Sequence, residues 1–153
     1  TNFQTKKYQV SINILANEIP DYKEYQFHLD LWINPSSIAE YYQLTHWSDA
    51  HWSLIEVYLK DYATRGGKNI ATTITYEPWH KPWINNTTIS QSQFGYKSMV
   101  KWTKSAAGVW RFDYSIFDRY VQMAFDLGIS ESLNAYSLTP FHTKQKIHFY
   151  NEK

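Results

Sequence analysis

Ser48-Asp-Ala-His-Trp-Ser-Leu-Ile-Glu-Val-Tyr-Leu-Lys-Asp-Tyr-Ala-Thr-Arg-Gly-Gly-Lys-Asn-Ile-Ala-Thr-Thr-Ile-Thr75 is the stretch on which the fold turns. Trp52, Ile55, Leu59 and Tyr62 recur every three or four residues, which predicts an amphipathic helix with Ser48 as its N-cap. Gly66-Gly67 ends that helix. The β-branched run that follows, Lys68 to Thr75, predicts a strand. A helix feeding directly into a short strand is one step of an alternating α/β pattern.

The pattern continues on both sides. Upstream, Gln26-Phe-His-Leu-Asp-Leu-Trp32 alternates, with Phe27, Leu29 and Leu31 on one face and His28, Asp30 and Trp32 on the other. It reads as the strand before the helix, and Asn34-Pro35 stops it. Pro35 and Ser37, with Glu40 at capping-box spacing, start a short helix through Tyr42. Downstream, Ser115 caps a further helix with an apolar stripe of Phe117, Tyr120, Val121, Ala124 and Phe125, ended by Gly128. Ser132 to Leu138 then predicts a third strand. Strand, helix, strand, helix, strand implies parallel pairing through right-handed crossovers. The long excursion from Tyr76 to Tyr114 carries a hairpin, Ser98 to Lys104 and Val109 to Tyr114, joined through Ser105-Ala-Ala-Gly108. Loops of that length inside a domain usually serve function. Tyr8 to Ile14 alternates strictly and predicts a half-buried strand, Asn17 to Glu24 reads as a linker, and Lys146 to Tyr150 as one more strand.

The bulk properties exclude several classes. With 43% hydrophobic and 19% charged residues, the 153-residue chain has the makings of a packed core. A net charge of +1, with no run of Lys or Arg, argues against a nucleic-acid partner. No apolar stretch approaches the ~20 residues of a membrane span, so no membrane is expected. The absence of cysteine removes disulfides, thiolate metal sites and cysteine nucleophiles. The chain begins at Thr1 without a signal-like segment and reads as an excised piece, leaving its export unread. Aromatic residues reach 18%, enough to consider ring-lined sugar grooves beside the plainer reading of a large core.

An ordered series of short motifs carries a family likeness. It runs His28-Leu-Asp-Leu-Trp32, Asn34-Pro35, Trp47-Ser48, Thr72-Thr-Ile-Thr-Tyr76 and Pro78-Trp79. It goes on through Ser98-Met-Val-Lys-Trp-Thr103, Trp110-Arg-Phe-Asp-Tyr114, Phe117-Asp118, Gly128-Ile129 and Tyr136-Ser137. From about Glu24 onward the chain resembles the N-terminal part of the catalytic barrel of glycoside hydrolase family 123. The resemblance implies an α/β fold: an incomplete (β/α)8 TIM-barrel fragment of about three strand–helix units with an inserted β-hairpin. A full barrel typically needs ~250 residues. Residues 25–153 would form the N-terminal part of the barrel, and residues 1–24 the end of a preceding β-sandwich or a linker. The implied activity is removal of terminal N-acetylhexosamine, β-N-acetylgalactosamine in particular, by a retaining, substrate-assisted mechanism. An adjacent Asp-Glu pair performs it in the family, and this sequence contains no such dipeptide. No catalytic residue therefore carries over, and this stretch alone is expected to be inactive. No cofactor is implied. A secreted or cell-surface bacterial parent fits such an activity.

In such barrels the active site lies at the C-terminal ends of the strands and in the loops after them. That selects Asp30 and Trp32, with His28 on the same face, as substrate-binding candidates. Tyr76, Glu77, Trp79 and His80 follow the second strand, and Tyr136 follows the third. Asp30 is suited to accept hydrogen bonds from sugar hydroxyls and Trp32 to stack on a pyranose; the alternative is a buried polar network holding strand ends. Glu77 has the chemistry of a general acid, but a lone Glu beside Pro78 in a loop is more usually solvated. Trp79 and Trp83 suit an aromatic pocket wall, whereas Trp102 and Trp110 pair across the hairpin as packing. Asn85 and Asn86 each head an Asn-x-Thr sequon. His28-x-Asp30 lacks a third ligand for zinc, and His46 and His51 are not at i, i+4 spacing, so no metal is expected. The partner implied is a glycan, with self-association through unpaired strand edges. The competing reading is a non-catalytic carbohydrate-binding or structural module that keeps the aromatic surface.

Overall fold

A computed structural model describes residues 5–78, 95–139, 147 and 149–151. Its elements follow the chain as α1 (Pro35–Tyr41), α2 (Asp49–Thr64), β1 (Asn69–Thr73), β2 (Lys101–Lys104), β3 (Trp110–Asp113), α3 (Ser115–Asp126), β4 (Ser132–Tyr136) and β5 (Tyr150–Asn151). The centre is the parallel pair β1–β4, in register from Asn69 opposite Ser132 to Thr73 opposite Tyr136. A second sheet runs β3-β2-β5, antiparallel across the expected hairpin and parallel between β2 and β5. The chain is thus a mixed α/β unit.

The helices form where their caps permit. Ser48 Oγ accepts from His51 N, Trp52, Ile55, Leu59 and Tyr62 are all buried, and Gly66 leaves α2 in the left-handed region at φ 87°. Asn34, rather than Ser37, caps α1, its Oδ1 accepting from Ser36 N at 3.0 Å. At α3 the cap differs from expectation: Ser115 is the first helical residue and donates its N–H to Asp113 Oδ1 at 2.9 Å. The α3 stripe is rotated as well. Tyr120 and Ala124 are buried, with Ile116, Met123 and Leu127 packed beside them, while Phe125 stays 44% exposed. These residues meet Ile38, Ile70, Met99, Ile129 and the α2 stripe in one core. The Arg119 guanidinium stacks 4.4 Å from the Trp52 ring centroid and joins the two long helices.

Two expected strands do not form. Residues 26–32 lie beside β1 without a backbone ladder. Side chains take the carbonyls there: Lys68 Nζ donates to Tyr25 O, and Tyr62 Oη and Asn69 Nδ2 both donate to Leu29 O. Leu29 packs on the core, but Phe27 and Leu31 are more than half exposed, so the two-faced pattern is only partly realised. Tyr8 to Ile14 forms no strand, and Tyr8, Val10, Ile12 and Ile14 are all exposed, with no strand among the described residues to cover them. Among the described residues no helix is long and apolar enough to cross a membrane.

Candidate functional site

The C-terminal edge of the β1–β4 pair gathers the aromatic and polar groups. Tyr136 is the last residue of β4, and its ring lies 5.1 Å from that of Trp32, tilted by 53°. Trp32 is 39% exposed, so the pair presents ring surface rather than hiding it. Tyr76 leaves the end of β1 and receives the Lys97 ammonium 5.7 Å from its ring centroid. Lys97 is itself held by its backbone: its N–H donates to Ser36 Oγ at 3.0 Å and its carbonyl accepts from Thr73 Oγ1 at 2.7 Å. The hairpin is tied to the same edge, where Trp102 Nε1–H donates to Ile74 O at 2.6 Å. Trp102 and Trp110 meet edge to face at 6.3 Å, as expected of cross-strand packing.

His28 occupies a different level. Its Nδ1 accepts from Asn69 Nδ2 at 3.1 Å, and Asn69 Oδ1 accepts from Ser132 Oγ. Asn69 and Ser132 are the first residues of β1 and β4, so this polar chain spans the N-terminal edge of the pair. Asp30 is solvent-exposed. Its charge adds to the effect of burial in pushing the Tyr62 hydroxyl above its ordinary range, against the carbonyls that accept from that hydroxyl. Trp79, His80, Trp83, Asn85 and Asn86 lie outside the described residues.

Glu77 departs from the solvated loop residue expected of it. It is 7% exposed, with Oε1 accepting from Tyr96 N at 2.7 Å and its own N–H donating to Tyr96 O at 2.9 Å. Burial, and then the Glu77 charge, raise the Tyr96 hydroxyl pKa. Nothing in the local sequence around Glu77 signals this, because its partner lies 19 residues downstream.

A histidine pair sits at the start of α2. His51 is fully buried, its Nδ1 accepting from Trp47 N at 2.8 Å, so Nε2 carries the proton and donates to Pro35 O at 2.8 Å. Burial lowers its pKa, the Pro35 bond opposing. His46 lies 5.8 Å away between ring centroids, with Nε2 3.7 Å from Glu40 Oε1. Burial and then the Lys97 charge lower its pKa, Glu40 opposing. Both His51 nitrogens are engaged, which unsuits it for ligation; among the described residues no group of three potential metal ligands occurs. A cleft of about 300 Å³ opens at the opposite end, among Tyr22, Gly66, Lys68, Gly128 and Glu131. Its walls are turn backbone and helix ends, with little of the aromatic surface found at the C-terminal edge.

The glycoside hydrolase 123 catalytic-domain model matches residues 32–153. A solved family 123 glycoside hydrolase from Clostridium perfringens, described in work on glycolipid glycan hydrolysis, is similar at 30% identity with a TM-score of 0.72. The match covers 87% of this chain and 22% of that one. No curated protein matches. The family match takes in the Trp32–Tyr136 ring pair, the Tyr76–Lys97 contact and the buried Glu77, and by it this chain belongs to the glycoside hydrolase family 123 catalytic domains.

Proposed function

We propose that this chain builds one wall of the substrate pocket in a (β/α)8 barrel that removes terminal N-acetylhexosamine, β-N-acetylgalactosamine in particular. The observation that carries the reading is the Trp32–Tyr136 ring pair, with Trp32 exposed and Tyr136 half-buried, at the C-terminal edge of parallel strands, in a chain of this family. Trp32 and Tyr136 stack on the sugar, Asp30 accepts from a hydroxyl, and Tyr76 extends the wall; Trp79 is assigned to the same substrate-binding set from sequence. His28 steadies the wall from below through Asn69. The chemistry itself belongs to an Asp-Glu pair on a later strand. In the substrate-assisted route the 2-acetamido oxygen attacks the anomeric carbon, the Asp orients that acetamide, and the Glu protonates the leaving oxygen, then activates water. Residues 25–153 are assigned to the barrel, and residues 1–24 to the end of a β-sandwich or a linker. The apolar residues Tyr8, Val10, Ile12 and Ile14, all exposed here, support the sandwich reading, since residues alternating in this way are ordinarily covered by another sheet. The open edges of a two-stranded parallel pair support self-association when the stretch stands alone.

The test is turnover of an aryl β-N-acetylgalactosaminide by the protein carrying this chain with the remainder of its catalytic domain. Cleavage with retention at the anomeric carbon is expected. Inversion, or cleavage only of glycosides lacking the 2-acetamido group, would remove the substrate-assisted route.

A further inference from the structure

We propose that Glu77 is a positioning residue of the sugar pocket: its carboxylate latches the Gly95–Tyr96–Lys97 segment to the end of β1 and so sets where Lys97 and the Tyr76 ring stand. The pocket itself rests on the function proposed above; the latch rests on geometry.

Glu77 and Tyr96 are joined twice, Tyr96 N donating to Oε1 at 2.7 Å and Glu77 N donating to Tyr96 O at 2.9 Å. The next anchors, Thr73 Oγ1 to Lys97 O and Met99 N to Thr73 O, both at 2.7 Å, continue the attachment along β1. A Cβ at Gly95 would overlap Glu77 Oε1, so any side chain there would displace the carboxylate from its bond to Tyr96 N. Glu77 holds φ at 48°, a conformation costly for a residue with a Cβ. Its second oxygen, Oε2, is buried and has no hydrogen-bond partner among the described residues. A buried carboxylate with one oxygen unsatisfied is a poor way to stabilise a fold. Strain and an unsatisfied charge together mark a site kept for position rather than for stability. The latch positions its two neighbours in the chain, Tyr76 and Lys97, which form a cation–π contact 5.7 Å from ammonium to ring centroid.

The experiment compares Glu77→Gln, Glu77→Ala, Gly95→Ala and the Glu77→Ala/Gly95→Ala double variant in the protein carrying the complete catalytic domain. KM and kcat for an aryl β-N-acetylgalactosaminide are measured with the melting temperature, and exchange of the Tyr96 amide is followed by NMR. Glu77→Gln keeps the carbonyl acceptor and places its amide nitrogen where Oε2 stood. It should stay within about threefold of wild type in KM, with Tyr96 protected. Glu77→Ala and Gly95→Ala should each raise KM about tenfold with kcat nearly unchanged, the signature of lost positioning. Because both break one latch, the double variant should be no worse than either alone. Wild-type KM in folded Glu77→Ala, additive effects in the double variant, or a lowered melting temperature with unchanged kinetics would overturn the proposal. A wild-type protein that cleaves no N-acetylhexosaminide sinks the proposed function instead. The latch is then judged on the Tyr96 amide, and rapid exchange in wild type, or equal protection in Glu77→Ala, overturns it.

Discussion

The Trp32 ring stands 5.1 Å from the Tyr136 ring, although 104 residues separate them and Tyr136 pairs in the ladder with Thr73 rather than with the Trp32 segment. Contact across the strand between them puts both rings over the same edge. In a barrel this is the edge that receives substrate. Tyr136→Ala in the complete enzyme should therefore reduce kcat/KM by about five- to thirtyfold, from about 1–2 kcal/mol of lost ring contact with the sugar and with Trp32. Tyr136→Phe, which keeps the ring, should stay close to wild type. Equal losses in both variants would show that the hydroxyl rather than the ring matters.

Residues 1–153 by themselves should not hydrolyse any N-acetylhexosaminide. Protonation of the leaving oxygen by a positioned acid is worth on the order of a hundredfold or more, and the Asp-Glu pair is absent from this sequence. Without a closed pocket, charge developing at the anomeric centre would be met by water instead of preorganised groups. Turnover above that of buffer by purified 1–153, abolished by no contaminant control, would refute this.

How far the fold can be read in the sequence depends on how local its causes are. The α2 stripe of Trp52, Ile55, Leu59 and Tyr62 was legible because helical spacing and core burial coincide. The β-branched residues of β1 likewise announced a strand buried along its whole length. Residues 26–32 alternate as a strand does, yet the side chains of Tyr62, Lys68 and Asn69 take up the carbonyls of Tyr25 and Leu29. Alternation describes which faces a chain offers; it does not say whether backbone or side chains will meet it. At the candidate site, Tyr136 ends β4, whereas Trp32 was placed at the end of an expected strand that does not form. The burial of Glu77 and the setting of Lys97 were not legible, because they depend on Gly95 and Tyr96, far along the chain from β1.

Asp30→Asn separates a binding role from a structural one. Shape and most hydrogen-bonding capacity survive the change, so the melting temperature should hold. If Asp30 accepts from a sugar hydroxyl, kcat/KM should fall by an interaction worth roughly 1.5–3 kcal/mol, from tenfold to more than a hundredfold. A lowered melting temperature with normal efficiency in the folded fraction would take Asp30 out of the site.

His51 makes folding sensitive to mild acid. In the folded chain Nδ1 accepts from Trp47 N–H and Nε2–H donates to Pro35 O, an arrangement available only to the neutral ring. Burial depresses the His51 pKa below its unfolded value of about 6.5. The unfolded state therefore binds the proton first as pH falls, and stability decreases in that direction. The contribution is full above about pH 6.5 and is lost as pH drops from there through the folded-state pKa. His46, whose pKa burial and Lys97 also lower, acts in the same sense. His51→Gln removes one titrating group, so its stability should decline less steeply between neutral and mildly acid pH. At neutral pH the variant should be weaker by about 1–3 kcal/mol, because a two-carbon amide cannot satisfy both Trp47 N and Pro35 O in that buried space. Urea melts of both proteins at several pH values measure the two slopes directly. Parallel slopes for wild type and variant would assign the acid sensitivity to His46 or to another group, and His51 would then be a purely structural cap for the turn into α2.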